Sequence, residues 1–235
     1  SKNKGNEFVF PVFFPDPLEK FFNNHLQIHD KKSPKSIIGF CGQGTAGLQK
    51  KYADCSRNFL LKLSSLAGIS QGDTEPLISP VYRRSQILDI LEKSSLIETN
   101  LKRFTKYRAG AVSKEEKEKS SHLYFENIQQ SEYILCYRGT GNFSVRLYET
   151  LAAARIPIIV HSDNNMPFPG KIDWNVFPNI DEKDWQSIDK IVSDFHTKLN
   201  NENFVALQLQ ARKIWEEYIS YKGFMWHFIQ KYSAI

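Results

Sequence analysis

The sequence predicts an α/β domain, a Rossmann-like parallel sheet covered by helices. Three observations carry this expectation. Short apolar runs suited to strands buried on both faces recur at residues 36–41 (SIIGFC), 133–136 (YILC) and 156–160 (IPIIV). Segments with apolar residues at spacing three and four lie between and after them. A glycine-punctuated turn follows the first two runs, GQGTAG at 42–47 and RGTG at 138–141, and each leads into a helical pattern.

Taken in order, residues 8–14 form an apolar run closed by Pro15-Asp16-Pro17, and 18–26 allow a helical turn or two. Residues 31–34 (KKSP) read as a linker before the first strand. A helix is expected over 48–66 with Leu60, Leu63 and Leu66 facing inward, then loop over 73–80 and a helix over 81–93. Residues 95–101 lean towards a strand. The run KEEKEK at 114–119 is mixed in sign and reads as the solvated start of a helix reaching 130, with Leu123, Phe125 and Ile128 inward. After the strand at 133–136, residues 144–154 have helical spacing, and the strand at 156–160 is followed by an Asn- and Pro-rich loop, 162–170. A short strand is expected at 172–177, and helices at 184–199, 202–220 and 223–232. The domain expectation is an N-terminal segment and linker, 1–33, before a nucleotide-binding domain with C-terminal helices, 34–235.

In open α/β sheets, ligands sit at the carboxyl ends of the strands, where loops meet helix N-termini. Free N–H groups and the helix dipole attract phosphate there. Residues 131–160 thus read as an anion cradle, with Arg138 and Arg146 as bidentate donors and Glu149 as an acceptor for sugar hydroxyls. The plainer reading is that Gly-x-Gly merely turns the chain and that Arg146 and Glu149, three apart, are a surface pair. Arg57, about two turns into the first long helix, either reaches the cradle or is solvated.

Composition narrows the classes. Of 235 residues, 41% are hydrophobic and 24% charged, ordinary for a globular protein. Net charge is +5 with lysines scattered, and no basic stripe with interleaved aromatics points to nucleic acid. No apolar run reaches the length of a membrane span. Cys41, Cys55 and Cys136 have no metal-ligand spacing, and Cys41 and Cys136 end apolar runs as buried free thiols. Together with a sequon at Asn142-Phe143-Ser144, whose glycan would block the cradle, this favours a reducing compartment, the cytosol of a bacterium or of a viral host.

Ordered blocks along the chain resemble the exostosin family of glycosyltransferases, in particular its C-terminal nucleotide-sugar half. They are 36–42, Ser56-Arg57-Asn58, 124–139 (YFENIQQSEYILCYRG), 144–151 (SVRLYETL), 156–160, Met166-Pro167-Phe168, Ile172-Asp173-Trp174, Leu207-Gln208 and 215–218 (WEEY). The wording around RGTGNFSVRLYE is similar to prokaryotic or viral members. The resemblance implies a GT-B donor domain with a short or truncated N-terminal part. It implies a UDP- or GDP-sugar donor, a glycan acceptor, inverting transfer and no metal cofactor, and the sequence holds no Asp-x-Asp. Carried over, Arg57, Arg138 and Arg146 contact the diphosphate, while Gly139, Gly141, Asn142 and Ser144 bind phosphate and Glu149 the ribose. The base would come from the acceptor side of the cleft, on a second domain or chain. Asp16, His161 and Asp163 are the local candidates, though Asp16 equally caps a turn and Asp163 equally shapes a loop. The expected function is metal-independent glycosyl transfer. The alternative is a non-catalytic nucleotide-sugar-binding or interaction domain of a larger glycan-synthesising protein.

Overall fold

A computed structural model describes residues 9–66, 78–139, 143–161 and 165–232. Among these, β1 (Ile37–Gln43), β2 (Glu98–Phe104), β3 (Tyr133–Cys136), β4 (Ile156–His161) and β5 (Asn179–Asp181) form one sheet in the order β2-β1-β3-β4-β5. Every neighbouring pair is parallel. The central strands are apolar on both faces because both are covered, and all four residues of β3 are buried.

The helices are α1 (Pro17–Phe21), α2 (Leu48–Leu66), α3 (Pro80–Lys93), α4 (Lys114–Gln129), α5 (Val145–Ala152), α6 (Ile188–Lys198), α7 (Asn201–Ile214) and α8 (Tyr221–Tyr232). Helix α3 packs on β2 and α6, while α4 packs on β1 and α5 on β4 and α7, so the sheet is sandwiched between two layers. The charged run at 114–119 does open α4. Ser113 caps it and Glu116 reaches back to the Ser113 amide, a capping box that fixes the start. Phe125 and Ile128 are buried beneath it, and Leu123 is partly so. Cys41 and Cys136 are buried free thiols.

Three expectations are corrected. The leucines of α2 do not face inward, since Leu60 is 65% exposed and Leu63 47%, and the side chain of Leu66 lies outside the described ones. Among the described side chains of that helix, Asn58 is the buried one. Residues 59, 60, 61 and 63 are apolar but nearly consecutive, so one helical face cannot hold them all. No strand forms at 172–177. Its apolar residues are buried as packing groups, with Trp174–Val176 in a 3₁₀ turn and Phe177 beneath it. The last strand comes just after, where the Asn179 side chain donates to the carbonyls of Trp174 and Phe177. The second strand lies later than residues 95–101 suggested, because Leu96 and Ile97 belong to the turn out of α3.

The described part of the N-terminal segment packs on the C-terminal helices. Phe10 and Phe13 contact Phe224, Phe13 meets Tyr221 edge-on, and Phe14 lies 6.1 Å from Trp215. Asp16 caps α1 through the Leu18 amide and takes both ends of the Arg212 guanidinium, one at 2.9 Å. Residues 27–33 then run under the amino end of the sheet. Gln208 pairs with both backbone groups of His29, and the carboxylate of Glu132 accepts the Ile37 amide at 3.0 Å and the Ser33 amide. Arg155, fully buried, donates to the carbonyls of Gln27, Gln129 and Ala154 at 2.8–3.0 Å. Helix α4 ends at the Gln129 carbonyl and Ala154 lies just past the end of α5, so the guanidinium sits near the negative ends of two helix dipoles.

Candidate functional site

The chain reverses its winding direction between β1 and β3, since β2 lies on one side of β1 while β3, β4 and β5 lie on the other. The loops leaving those two strands diverge there, which opens a crevice at their carboxyl ends. A cleft of about 750 Å³ occupies that place. This volume suits a small organic ligand, for which roughly 300–1,000 Å³ is usual. Cys41, Gly42 and Gln43 from β1 and Tyr137 and Gly139 after β3 line it. Its walls are the start of α5, the middle of α4, the start of α3 and the Phe14–Phe21 stretch.

Lys20, Arg84, Arg108 and Arg146 bring positive charge to the lining, against Glu149 as its one carboxylate among the described residues. Arg146 lies over the Phe40 ring at 4.2 Å and 5.6 Å from the Tyr124 ring, and donates to the Cys41 carbonyl at 2.8 Å. The backbone at Gly42 makes room for it. Its φ of +149° is one that side chains rarely adopt, and a β-carbon there would come within 2.9 Å of the Arg146 guanidinium. Glu149 accepts from the Tyr124 hydroxyl at 2.5 Å. Burial pushes its carboxyl above the ordinary range, while Tyr124, Arg146 and Arg108 pull it back. The same burial, with Glu149 beside it, raises the Tyr124 phenol well above its usual value.

In the described part of the cleft the positive charge comes from arginines and a lysine, and the glycine-loop amides are already bonded. Gly44 and Thr45 spend their amides on the Phe104 carbonyl, and Gly139 spends its own on Phe143. At the start of α5, Ser144 faces the cleft and its hydroxyl makes no capping bond.

Of the residues marked in the sequence, Gly139, Ser144, Arg146 and Glu149 converge on this cleft. Arg138 lies just behind it, with a buried guanidinium whose Nε has no partner among the described residues. Arg57 does not line the cleft. It is exposed on α2 and bonds to its neighbour Asn58. Gly141, Asn142 and Asp163 lie outside the described residues. Asp16 is engaged by Arg212, and the His161 ring pairs with Asn179 at 2.6 Å. Arg146 and Glu149 are therefore not a surface pair, for each is held from a different element of the cleft.

The sequence reading missed Arg84 and Tyr124. A signal for Arg84 did exist. A basic pair, Arg83-Arg84, stands near the start of a helix opened by Pro80, where the dipole disfavours cations. Tyr124 lay inside the quoted block 124–139 but sits on a helix read only for its apolar face.

No family model matches the chain. It is 30% identical over 120 residues to exostosin-1b of Danio rerio, which covers 51% of this chain and 16% of that protein. It is 36% identical over 73 residues to a probable glucuronosyltransferase of Oryza sativa subsp. japonica, covering 30% of this chain and 16% of the relative. It is 34% identical over 71 residues to a probable beta-1,4-xylosyltransferase of Arabidopsis thaliana, covering 30% and 17%. The chain thus spans only a small part, 16–17%, of the length of these curated relatives.

Proposed function

We propose that this exostosin-family chain is the donor-binding part of a glycosyltransferase and that its cleft holds a nucleoside-diphosphate sugar. One observation carries the reading. Arginines and a single carboxylate share a cleft at the switch point of a parallel sheet, where such folds take nucleotides. The names of its relatives favour sugar transfer as the use of that cleft.

In the proposed reaction the oxygen of an acceptor hydroxyl attacks the anomeric carbon. The bond from that carbon to the diphosphate breaks, its electron pair leaves with the diphosphate, and the hydroxyl proton passes to a base. Arg146, with Ser144 and the first amides of α5, offsets the charge that develops on the leaving group. Glu149 accepts from a ribose hydroxyl through the oxygen that Tyr124 leaves open. Asp16 and His161 are committed elsewhere, and we propose that the base comes from the acceptor side, on a further domain or chain. We propose inversion and transfer without a divalent ion, the latter because the sequence has no Asp-x-Asp.

Calorimetry with UDP- and GDP-sugars, with and without EDTA, tests this reading. Binding of at least one donor that persists under chelation is expected. Binding that disappears on chelation overturns metal independence, and absence of binding to every nucleotide sugar overturns the reading itself. A donor that binds but is never hydrolysed or transferred, even with relatives' acceptor glycans, identifies a binding module.

A further inference from the structure

Arg84 belongs to none of the family-like blocks, yet it is 7% exposed and lines the cleft. It donates to the Gln43 carbonyl at 2.8 Å and to the Arg138 carbonyl at 2.6 Å, so it stands between the two loops that diverge at the switch point. A guanidinium has five N–H donors. Two are accounted for, and the Nε is buried with no partner among the described residues. No carboxylate pairs with it there. Arg146, whose Nε is likewise buried and unpartnered, acts on it instead, and burial with that neighbouring charge pulls Arg84 down to about 10.

Arg103, on β2 opposite Gly42, shows what a purely structural arginine looks like in this protein. It bonds to Asp89 at 2.7 Å, Glu92 at 2.9 Å and Ser85 at 3.1 Å. Glu149 offsets part of the Arg146 charge, but no carboxylate pairs with the buried Arg84 among the described residues, and a buried cation without one is costly. A dianion in the cleft would offset both cations and accept the terminal N–H groups that the bonds to the Gln43 and Arg138 carbonyls leave over.

We propose that Arg84 is an anion-binding residue of the cleft, acting with Arg146 as a two-guanidinium clamp for a diphosphate. This rests on the nucleotide-sugar reading above and adds a contact that the family-like blocks do not contain. A clamp differs from a brace in its signature. Removing a brace lowers stability and leaves the affinity of the folded protein unchanged, whereas removing half of a charged clamp weakens the ligand whatever happens to stability.

The test measures binding of inorganic pyrophosphate and UDP by calorimetry, with melting temperatures of the free and ligand-saturated protein, for the wild type, Arg84→Met, Arg84→Lys and Arg146→Met. Losing a charge-assisted bond should cut pyrophosphate affinity roughly ten- to a hundredfold in Arg84→Met. Its free melting temperature should fall somewhat, because the Gln43 and Arg138 carbonyls lose their donor, so affinity is the deciding readout. Arg84→Lys keeps the charge but not the fork and should recover only part of the affinity. Wild-type affinity in Arg84→Met with a lowered melting temperature overturns the clamp in favour of the brace. Should Arg84→Met not fold, wild-type affinity in Arg84→Lys overturns the clamp equally. Failure of the wild type to bind either probe removes the nucleotide-sugar reading along with the clamp, and wild-type binding with indifferent Arg84 variants removes the clamp alone.

Discussion

The two ends of the sheet treat buried charge in opposite ways. At the amino end, Arg155 spreads its donors over the carbonyls of Gln27, Gln129 and Ala154, and Glu132 collects the amides of Ser33 and Ile37. Arg212 there is paired with Asp16 and Glu216 and also donates to the Ala152 carbonyl. At the carboxyl end, Arg84, Arg138 and Arg146 keep buried Nε groups with no partner among the described residues. Low-dielectric surroundings strengthen satisfied networks and penalise open ones. One end is therefore built as a clasp, and the other keeps buried guanidinium N–H groups without a partner among the described residues. The difference teaches that an arginine's role in this protein follows from which of its donors are spoken for, more than from its burial.

The largest expected effect tests the clasp. Arg155→Met should destabilise the protein by about 3 kcal/mol, because several helix-end carbonyls lose their donor inside the protein. Urea denaturation measures this, and a loss under 1 kcal/mol would show that water replaces the guanidinium cheaply. At the other end, Arg146→Ala should weaken nucleoside diphosphate binding by about 1.5–3 kcal/mol with little loss of stability. Calorimetry beside thermal melting separates the two, and a variant that melts early but binds normally would make Arg146 part of the clasp. Gly42→Ala links stability and binding. Its φ is strained for alanine by about 1–3 kcal/mol, and its methyl pushes on Arg146, so both stability and affinity should fall. Unchanged affinity in a destabilised variant would mean that Arg146 tolerates displacement.

The smallest effect concerns pH. Burial raises the Glu149 carboxyl, so the folded protein holds that proton more tightly than the unfolded chain does. Stability from this group is complete below the ordinary carboxylate value and is lost as pH rises through the raised one. Glu149→Gln should flatten that decline. Tyr124→Phe should move it to higher pH, because the Tyr124 hydroxyl holds the carboxyl down. The groups facing Glu149 are Tyr124, Arg146 and Arg108, so a decline that persists in Glu149→Gln must come from elsewhere.

Much of this frame was legible in the sequence. Apolar, β-branched strands announce themselves when both faces are covered, which is why β1, β3 and β4 were placed within a residue or two. The three-residue edge strand β5 carries no such signal, and the apolar residues just before it misled because they pack around a turn. Gly139, Ser144, Arg146 and Glu149 line one cleft as expected, because a strand, a turn and a helix put them at one sheet end. Arg84 and Tyr124 arrive from other helices, and no local pattern says which helices will meet. The leucines of α2 show the same limit from the other side, since hydrophobicity alone does not choose a helical phase.

The ion pair between Asp16 and Arg212 joins residues 196 positions apart, and the Phe10–Phe224 contact spans more still. Contacts of such sequence separation slow folding, because a long loop must close before they repay its entropy. During synthesis the early aromatic stretch emerges long before its docking helices exist. Phe10, Phe13 and Phe14 then remain uncovered while the sheet assembles, which exposes apolar surface to aggregation. Refolding from denaturant should show the Trp215 fluorescence change as the last phase, after the sheet has formed.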